Sequence, residues 1–298
     1  MKRTRIRNSA EDRVFSVIAY TLATLALIIT LYPLLYCISV SFSDPMEVVK
    51  GNVILLPQKP TLMAYQAVAK NKSMFTGYVN TIFYTVLGTS LNLIMTIAAA
   101  YPLSKRDFRG RGGITFLFTL TMFFSGGMVP NFLLIKNLDM YNSIWALLLP
   151  SCVSAWNLVI MRTYFQTSIP EEICESAYID GCSNISTLLH IVLPLSIPII
   201  AVMVIFYGVG HWNSYFSALL YLKDRDKYPL SLVLREILLQ GMGQEKTGAE
   251  VVDSVADLLL FETLKYAVII VSSVPMLILY PALQRYFVKG TMVGSLKG

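Results

Sequence analysis

Apolar residues along this 298-residue chain gather in long runs, not in the short periodic stripes of a water-soluble fold. Six stretches carry no charged residue: Val14 to Val40, Val79 to Ser104, Gly112 to Ile135, Tyr141 to Met161, Ile191 to Gly210 and Tyr266 to Gln284. They are 19 to 27 residues long. At about 1.5 Å of rise per residue, each covers the ~30 Å hydrocarbon core of a bilayer as a helix. Helix is the expected form, because lipid offers backbone polar groups no partner outside the segment. The pattern predicts an all-α membrane protein with six transmembrane helices, residues 14–287, between tails at 1–13 and 288–298. One polar stretch, 211–265, is too patterned for plain loop. Leu230, Val233, Leu234, Ile237 and Leu238 recur at helical spacing with Arg235 and Glu236 between them, predicting one or two amphipathic helices on the outer side.

Composition agrees with this pattern. Only 14% of residues are charged and the mean hydropathy is +0.60, far from the roughly 25% charged residues of soluble domains. The net charge of +6 raises nucleic acid as a partner, but the basic residues sit in tails and short loops between apolar runs. Membrane topology accounts for them, and no nucleic acid is expected. Lys2, Arg3, Arg5, Arg7 and Arg13 precede a first run of 27 uncharged residues, too long for the apolar region of a secretory signal. That run reads as a retained helix. Lysines and arginines are densest before it, in the Lys105 to Arg111 loop and in the tail, which puts both termini in the cytoplasm of a multi-pass plasma-membrane protein. The four cysteines form no C-x-x-C pair, and His190 and His211 are the only histidines. A metal centre is not expected.

The segment between the fourth and fifth runs carries the functional signal. Pro170, Glu171 and Glu172 open a short helix, with Ser168 as its candidate cap and acids at the positive end of the dipole. Small Ser176 and Ala177 leave its surface open to close approach. Gly181 permits a reversal, and Ser183 is placed to cap a second helix. The product, about 170–184, is a short cytoplasmic helix that a partner could grip.

These residues also resemble a known family. Glu175-Ser176-Ala177, Gly181 four residues further on, then after nine residues Ile191-Val192-Leu193-Pro194, is similar to the E-A-A, G, I-x-L-P signature of ABC-importer permease subunits. Only Ser176 departs from it, where alanine is usual. His211-Trp212-Asn213 and the tail Gly290 to Gly298 resemble the carbohydrate-uptake, maltose-type branch, nearest to its oligosaccharide and polysaccharide-fragment importers, the alginate type included. The resemblance covers essentially the whole chain and implies a type I ABC importer permease fold. It also implies a coupling helix seated in a groove of a separate ATPase. There Glu175 would pair with a basic residue, Ala177 would pack and Gly181 would turn, with Glu172, Ser176, Asp180, Ile191, Leu193 and Pro194 completing the coupling set. The implied partners are a homologous second permease, an ABC ATPase dimer and an extracellular solute-binding lipoprotein. ATP and Mg would be bound by the ATPase subunits, leaving this chain no cofactor and no enzyme activity of its own. The residues agree: the nearest approach to a phosphate loop, Gly241 to Thr247, has Glu245 where glycine is needed before Lys246.

A solute path through apolar helices needs polar or aromatic groups on its walls. Tyr207, His211, Trp212, Asn213 and Asn131 are the candidates, with Asn80, Asn92, Ser125 and Asn157 behind them. Each has a structural reading as well, as interhelical glue or an interfacial anchor. The absence of acids from the runs argues against ion coupling and favours a sugar-like cargo. Glycerol phosphate or an amino acid is the alternative cargo. A membrane-embedded enzyme or channel is the alternative class, and it lacks the carboxylate or histidine constellation it would need. Pro194 and Pro198, four apart, predict a kink in the fifth helix, as hinge or as packing device.

Overall fold

The computed structural model describes residues 10–244 and 255–294, and every regular element among them is helical. Lys2, Arg3, Arg5, Arg7 and the last four residues lie outside the described residues, as do Glu245, Lys246 and Thr247. The chain divides into two compact units, Met1–Asn71 with Ile237–Val271, and Lys72–Glu236 with Ser272–Gly298.

The first unit opens with α1 (Ala10–Ser41), α2 (Pro45–Val49) and α3 (Met63–Lys70). Helix α1 begins inside the expected tail and puts Glu11 and Asp12 in its first turn, where the dipole favours acids. Its exposed apolar side chains suit lipid. The serines at its end pin the loop that follows. Ser39 Oγ donates to the Leu55 carbonyl at 2.5 Å, and Ser43 Oγ accepts from the Gln58 amide at 3.0 Å. Asp44 caps α2 by accepting from the Met46 amide. Glu47 bonds Lys59 at 2.7 Å and Asn52 at 2.6 Å.

The second unit is built on α4 (Lys72–Ser104), followed by α5 (Arg111–Phe123), α6 (Met128–Asn137), α7 (Trp145–Leu148), α8 (Ala155–Ser168), α9 (Glu171–Ile179), α10 (Asn184–Thr187), α11 (Leu193–Leu195), α12 (Ile197–Trp212) and α13 (Tyr215–Tyr221). Helices α14 (Leu230–Gln244) and α15 (Val255–Gly294) complete the chain. Helix α12 lies against α4, and α4 against α8. Ala100, Leu103, Leu158, Met161, Val192 and Met203 are buried between them. In lipid such contacts depend on close fit and interhelical hydrogen bonds, because apolar burial gains little there. Two glycines of α4 supply the fit. A Cβ on Gly77 would meet the Leu230 backbone at 3.2 Å, and one on Gly88 would stand 2.5 Å from His211 Nε2.

The six apolar runs do not become six unbroken helices. Among the described residues three helices are long and apolar enough to cross a membrane, within Glu11–Ser41, Lys72–Ser104 and Leu259–Leu279. Two further runs form pairs bent by 116° (α5 with α6) and by 82° (α10–α11 with α12). The first bend falls at Gly126-Gly127, where Gly127 has φ +86° and Pro130 cannot donate a backbone bond. The second falls at Ser196, between Pro194 and Pro198, after a π turn at Leu188–Val192. Tyr141 to Met161 divides into α7, an unwound stretch and α8, which Ser154 caps through the Asn157 amide. The predicted tail from 288 is helical as far as Gly294.

Residues 215–244 hold α13, a 3₁₀ turn at Arg225–Lys227 and α14. This segment is tied to α4 by side chains that meet backbone groups. Asn80 Nδ2 donates to the Asp226 and Tyr228 carbonyls, Tyr84 Oη donates to that of Lys227, and Thr81 Oγ1 accepts from the Leu230 amide at 2.7 Å. Asn142, at φ +59°, accepts from the Lys223 and Asp224 amides. Its amide, with Lys227, holds the Asp224 carboxyl below the usual carboxylate range.

Candidate functional site

Helix α9 is nine residues long and stands between α8 and the bent α10–α12 pair. Its end has a specific physical form. The Gly181 amide donates to the Tyr178 carbonyl at 3.0 Å, and the Cys182 amide to the Ala177 carbonyl at 2.9 Å. With Gly181 at φ +83°, this is a Schellman motif, in which a left-handed residue satisfies carbonyls that the helix leaves open. The chain then re-enters through α10, whose cap Ser183 accepts from the Ser186 amide at 3.2 Å. One expected cap is displaced. Ser168 closes α8, and α9 is preceded by Pro170 without a side-chain cap. A fixed φ and the acids Glu171 and Glu172 suffice to start the helix.

The coupling candidates separate by face. Glu172, Glu175, Ser176, Asp180 and Gly181 are exposed, while Ala177 is 6% exposed and points into its own chain. Ile191 and Leu193 are half-buried, and Pro194 is exposed. Beside the acids stand three apolar groups that the sequence reading passed over: Tyr178, Ile179 and Ile185, at 77%, 83% and 71% exposure. An apolar pair next to Asp180 on a short acidic helix was the available signal. Across α9, Arg106 Nε lies 3.5 Å from Glu171 Oε2. The open carbonyls at the end of α4 are met by α8, where Arg162 Nε donates to Leu103 and Gln166 Nε2 to Ser104.

The path candidates lie elsewhere in the same unit. Tyr207, His211, Trp212 and Asn213 fall at the end of α12, and Asn131 is exposed on α6. His211 Nε2 is 2.6 Å from Asn92 Oδ1. The Asn92 amide nitrogen donates to the Ser151 and Cys152 carbonyls, which orients Oδ1 as acceptor and makes His211 the Nε2–H tautomer. Tyr207 Oη is 2.7 Å from Thr96 Oγ1 and accepts from the Ser154 amide at 3.4 Å. These bonds give partners to the Ser151 and Cys152 carbonyls and the Ser154 amide in the unwound stretch between α7 and α8, groups that lipid could not satisfy. Trp212 is buried, donates from Nε1 to the Ser272 carbonyl at 3.2 Å and meets Tyr78 edge-on. Asn213 is exposed and donates to the Val209 carbonyl. Trp212 and Asn213 line a cavity of about 340 Å³ with Val209, Ser231, Ser272 and Met276. Among the described residues no group of three His, Cys, Asp or Glu side chains is placed to hold a metal.

Apolar helices of membrane length, with polar side chains hydrogen-bonded between them, mark a multi-pass membrane protein. Residues 93–293 match the family of binding-protein-dependent transport system inner membrane components, and the chain belongs to that family. It is 38% identical to the polygalacturonan/rhamnogalacturonan transport system permease protein YtcP of Bacillus subtilis (strain 168), over 97% of this chain and all of that protein. It is 30% identical to the trehalose/maltose transport system permease protein MalG of Thermococcus litoralis, over 98% of this chain and all of that one. The fold superposes with a TM-score of 0.86 on a chain of a bacterial ABC transporter involved in the import of the acidic polysaccharide alginate, at 33% identity, covering 95% of this chain and 99% of that one. The permease fold and the ABC-importer resemblance drawn from Glu175 to Pro194 both hold.

Proposed function

We propose that this chain is the membrane subunit through which an ATP-driven importer passes an oligosaccharide handed over by an extracellular binding protein. The observation that carries the proposal is α9, a projecting helix closed by Gly181 that leaves Glu172, Glu175, Ser176, Asp180, Tyr178 and Ile179 to a partner. In this reading the acids pair with basic residues of an ATPase groove and the two apolar side chains fill it. Closure of the ATPase dimer then pulls on α10–α12, whose bend at Ser196 transmits the movement. ATP and Mg belong to the ATPase subunits, a homologous permease completes the pathway, and α9 with both termini faces the cytoplasm. The oligosaccharide assignment draws on the saccharides for which the relatives are named and on the uncharged runs. Trp212 and Asn213 at their cavity, and Asn131 on α6, are the proposed path contacts, while Tyr207 and His211 hold the wall behind them.

The test is the assembled complex in proteoliposomes with its binding protein. ATP hydrolysis should rise with oligosaccharide, and Gly181→Val should abolish uptake while leaving the subunit in the membrane. Stimulation by glycerol phosphate or amino acids alone would remove the saccharide assignment, and unchanged uptake by the variant would remove the coupling role of α9.

A further inference from the structure

The Ser104 to Arg111 turn and α9 enclose a second cavity, of about 270 Å³. Lys105, Arg106 and Arg111 line it with Ser104, Gln166 and Glu171, and Tyr101, Phe165, Ile169 and Val192 form an apolar wall. The charge is unbalanced. Glu171 pairs with Arg106, and among the described residues no carboxylate lies within ion-pair distance of Lys105 or Arg111. Arg162 stands close enough to Arg111 to feel its charge, and Asp107 sits exposed in the same turn. Arg111 spends one N–H on the Lys105 carbonyl at 3.3 Å and keeps its others. A separate observation points into the same cavity. Tyr101 is 8% exposed and lines it, and the Lys105 ammonium stands 5.1 Å from its ring centroid, within reach of the Tyr101 hydroxyl and the Cys174 thiol. An anion with several acceptor oxygens would satisfy Tyr101, Lys105 and Arg111 together.

We infer that this cavity binds a phosphate group, and that its source is the headgroup of an anionic phospholipid in the leaflet on the α9 side. The turn follows directly on α4, a membrane-length helix, and so lies near the level of lipid phosphates. One wall is cationic and the other apolar, which matches a headgroup that carries its acyl chains with it. Basic pockets between membrane helices take anionic headgroups on the same grounds. A lipid held here contacts α4, α8 and α9 at once, so it would bear on how firmly α9 is seated. The inference rests on the chain's being a membrane protein and not on the coupling role of α9.

The experiment uses the assembled importer in nanodiscs of phosphatidylcholine with or without phosphatidylglycerol. Native mass spectrometry counts the phosphatidylglycerol retained after transfer to detergent. Wild type should retain it, and Lys105→Gln and Arg111→Gln should each lower retention about fivefold. Tyr101→Phe, which keeps the ring, should lower it with no change in subunit recovery, and Lys105→Arg should restore it. Equal retention by wild type and the glutamine variants would overturn the site. Displacement of phosphatidylglycerol by millimolar inorganic phosphate would overturn the lipid source in favour of a free anion. Loss of the ATPase subunits from the variants at unchanged lipid retention would assign the cavity to a protein contact and overturn both.

Discussion

Helices α9 and α12 belong to the same unit and both carry polar residues in a mainly apolar protein, yet they use them in opposite ways. On α12, Tyr207 and His211 are buried and spend their hydrogen bonds on Thr96, Asn92 and, through Asn92, on the unwound carbonyls of Ser151 and Cys152. On α9, Glu172, Glu175 and Asp180 point away from the chain, and bare apolar side chains stand beside them. A polar group that is satisfied internally holds the fold together. One left outward, next to exposed Tyr178 and Ile179, is available to a partner. The contrast separates stability from coupling, and substitutions in the two helices should fail differently.

The largest effect is expected at Gly88. Valine there would drive side-chain atoms into the His211 ring, which Asn92 holds in place, so α4 and α12 would have to part. Overpacking of this kind costs about 1–3 kcal/mol, and parting the helices also breaks the His211–Asn92 bond and pulls Asn92 from the Ser151 and Cys152 carbonyls, at about 1–3 kcal/mol for each buried group left unsatisfied. The subunit should be largely missing from membranes by immunoblot, and normal recovery would mean that the contact is slack. Next, Asn92→Leu strands the Ser151 and Cys152 carbonyls, at about 1–3 kcal/mol for each unsatisfied group. Thermal unfolding of the purified complex should begin earlier, and an unchanged melting curve would contradict the supporting role given to Asn92. Gly181→Val sits on the boundary of the comparison. Forcing a side chain into φ +83° costs about 1–2 kcal/mol, so recovery should fall modestly while ATP-dependent uptake disappears. Smallest in stability are Tyr178→Ala and Ile179→Ser. Neither should move the melting curve, and both should weaken co-purification of the ATPase. A stability loss equal to that of Asn92→Leu would erase the distinction between the helices.

Much of α9 was legible in the residues because its determinants are local. Pro170, Glu171 and Glu172 specify a start, and Gly181 and Ser183 a stop and a restart, within one turn of the groups they satisfy. Ser168 was misplaced as a cap because the sequence offers two adjacent serviceable starts, and only the run of α8 decides between them. The apolar runs were equally plain, but their number was not a number of straight helices. Gly126-Gly127 and the Pro194, Pro198 pair announce breaks without stating an angle, since angles of 116° and 82° depend on what the two halves pack against.

The path residues were the least legible. Asparagine in an apolar helix is the same letter whether it faces cargo or a carbonyl, and Asn80 and Asn92 proved to bond backbone 59 or more residues away. The inward turn of Ala177 has the same cause, because a nine-residue helix can present any face until its neighbours are fixed.

By itself, the sequence determined that this chain enters a membrane, that its spans are apolar helices, and that a short capped helix with a left-handed glycine interrupts them. Those properties follow from transfer free energies and from backbone geometry within a few residues. Tertiary structure decided which polar groups are consumed inside and which remain outside, and it brought Phe165, Glu171 and Val192 against Lys105 and Arg111 to form one cavity beside α9. Such choices depend on contacts between residues far apart in the chain, where spacing carries no information.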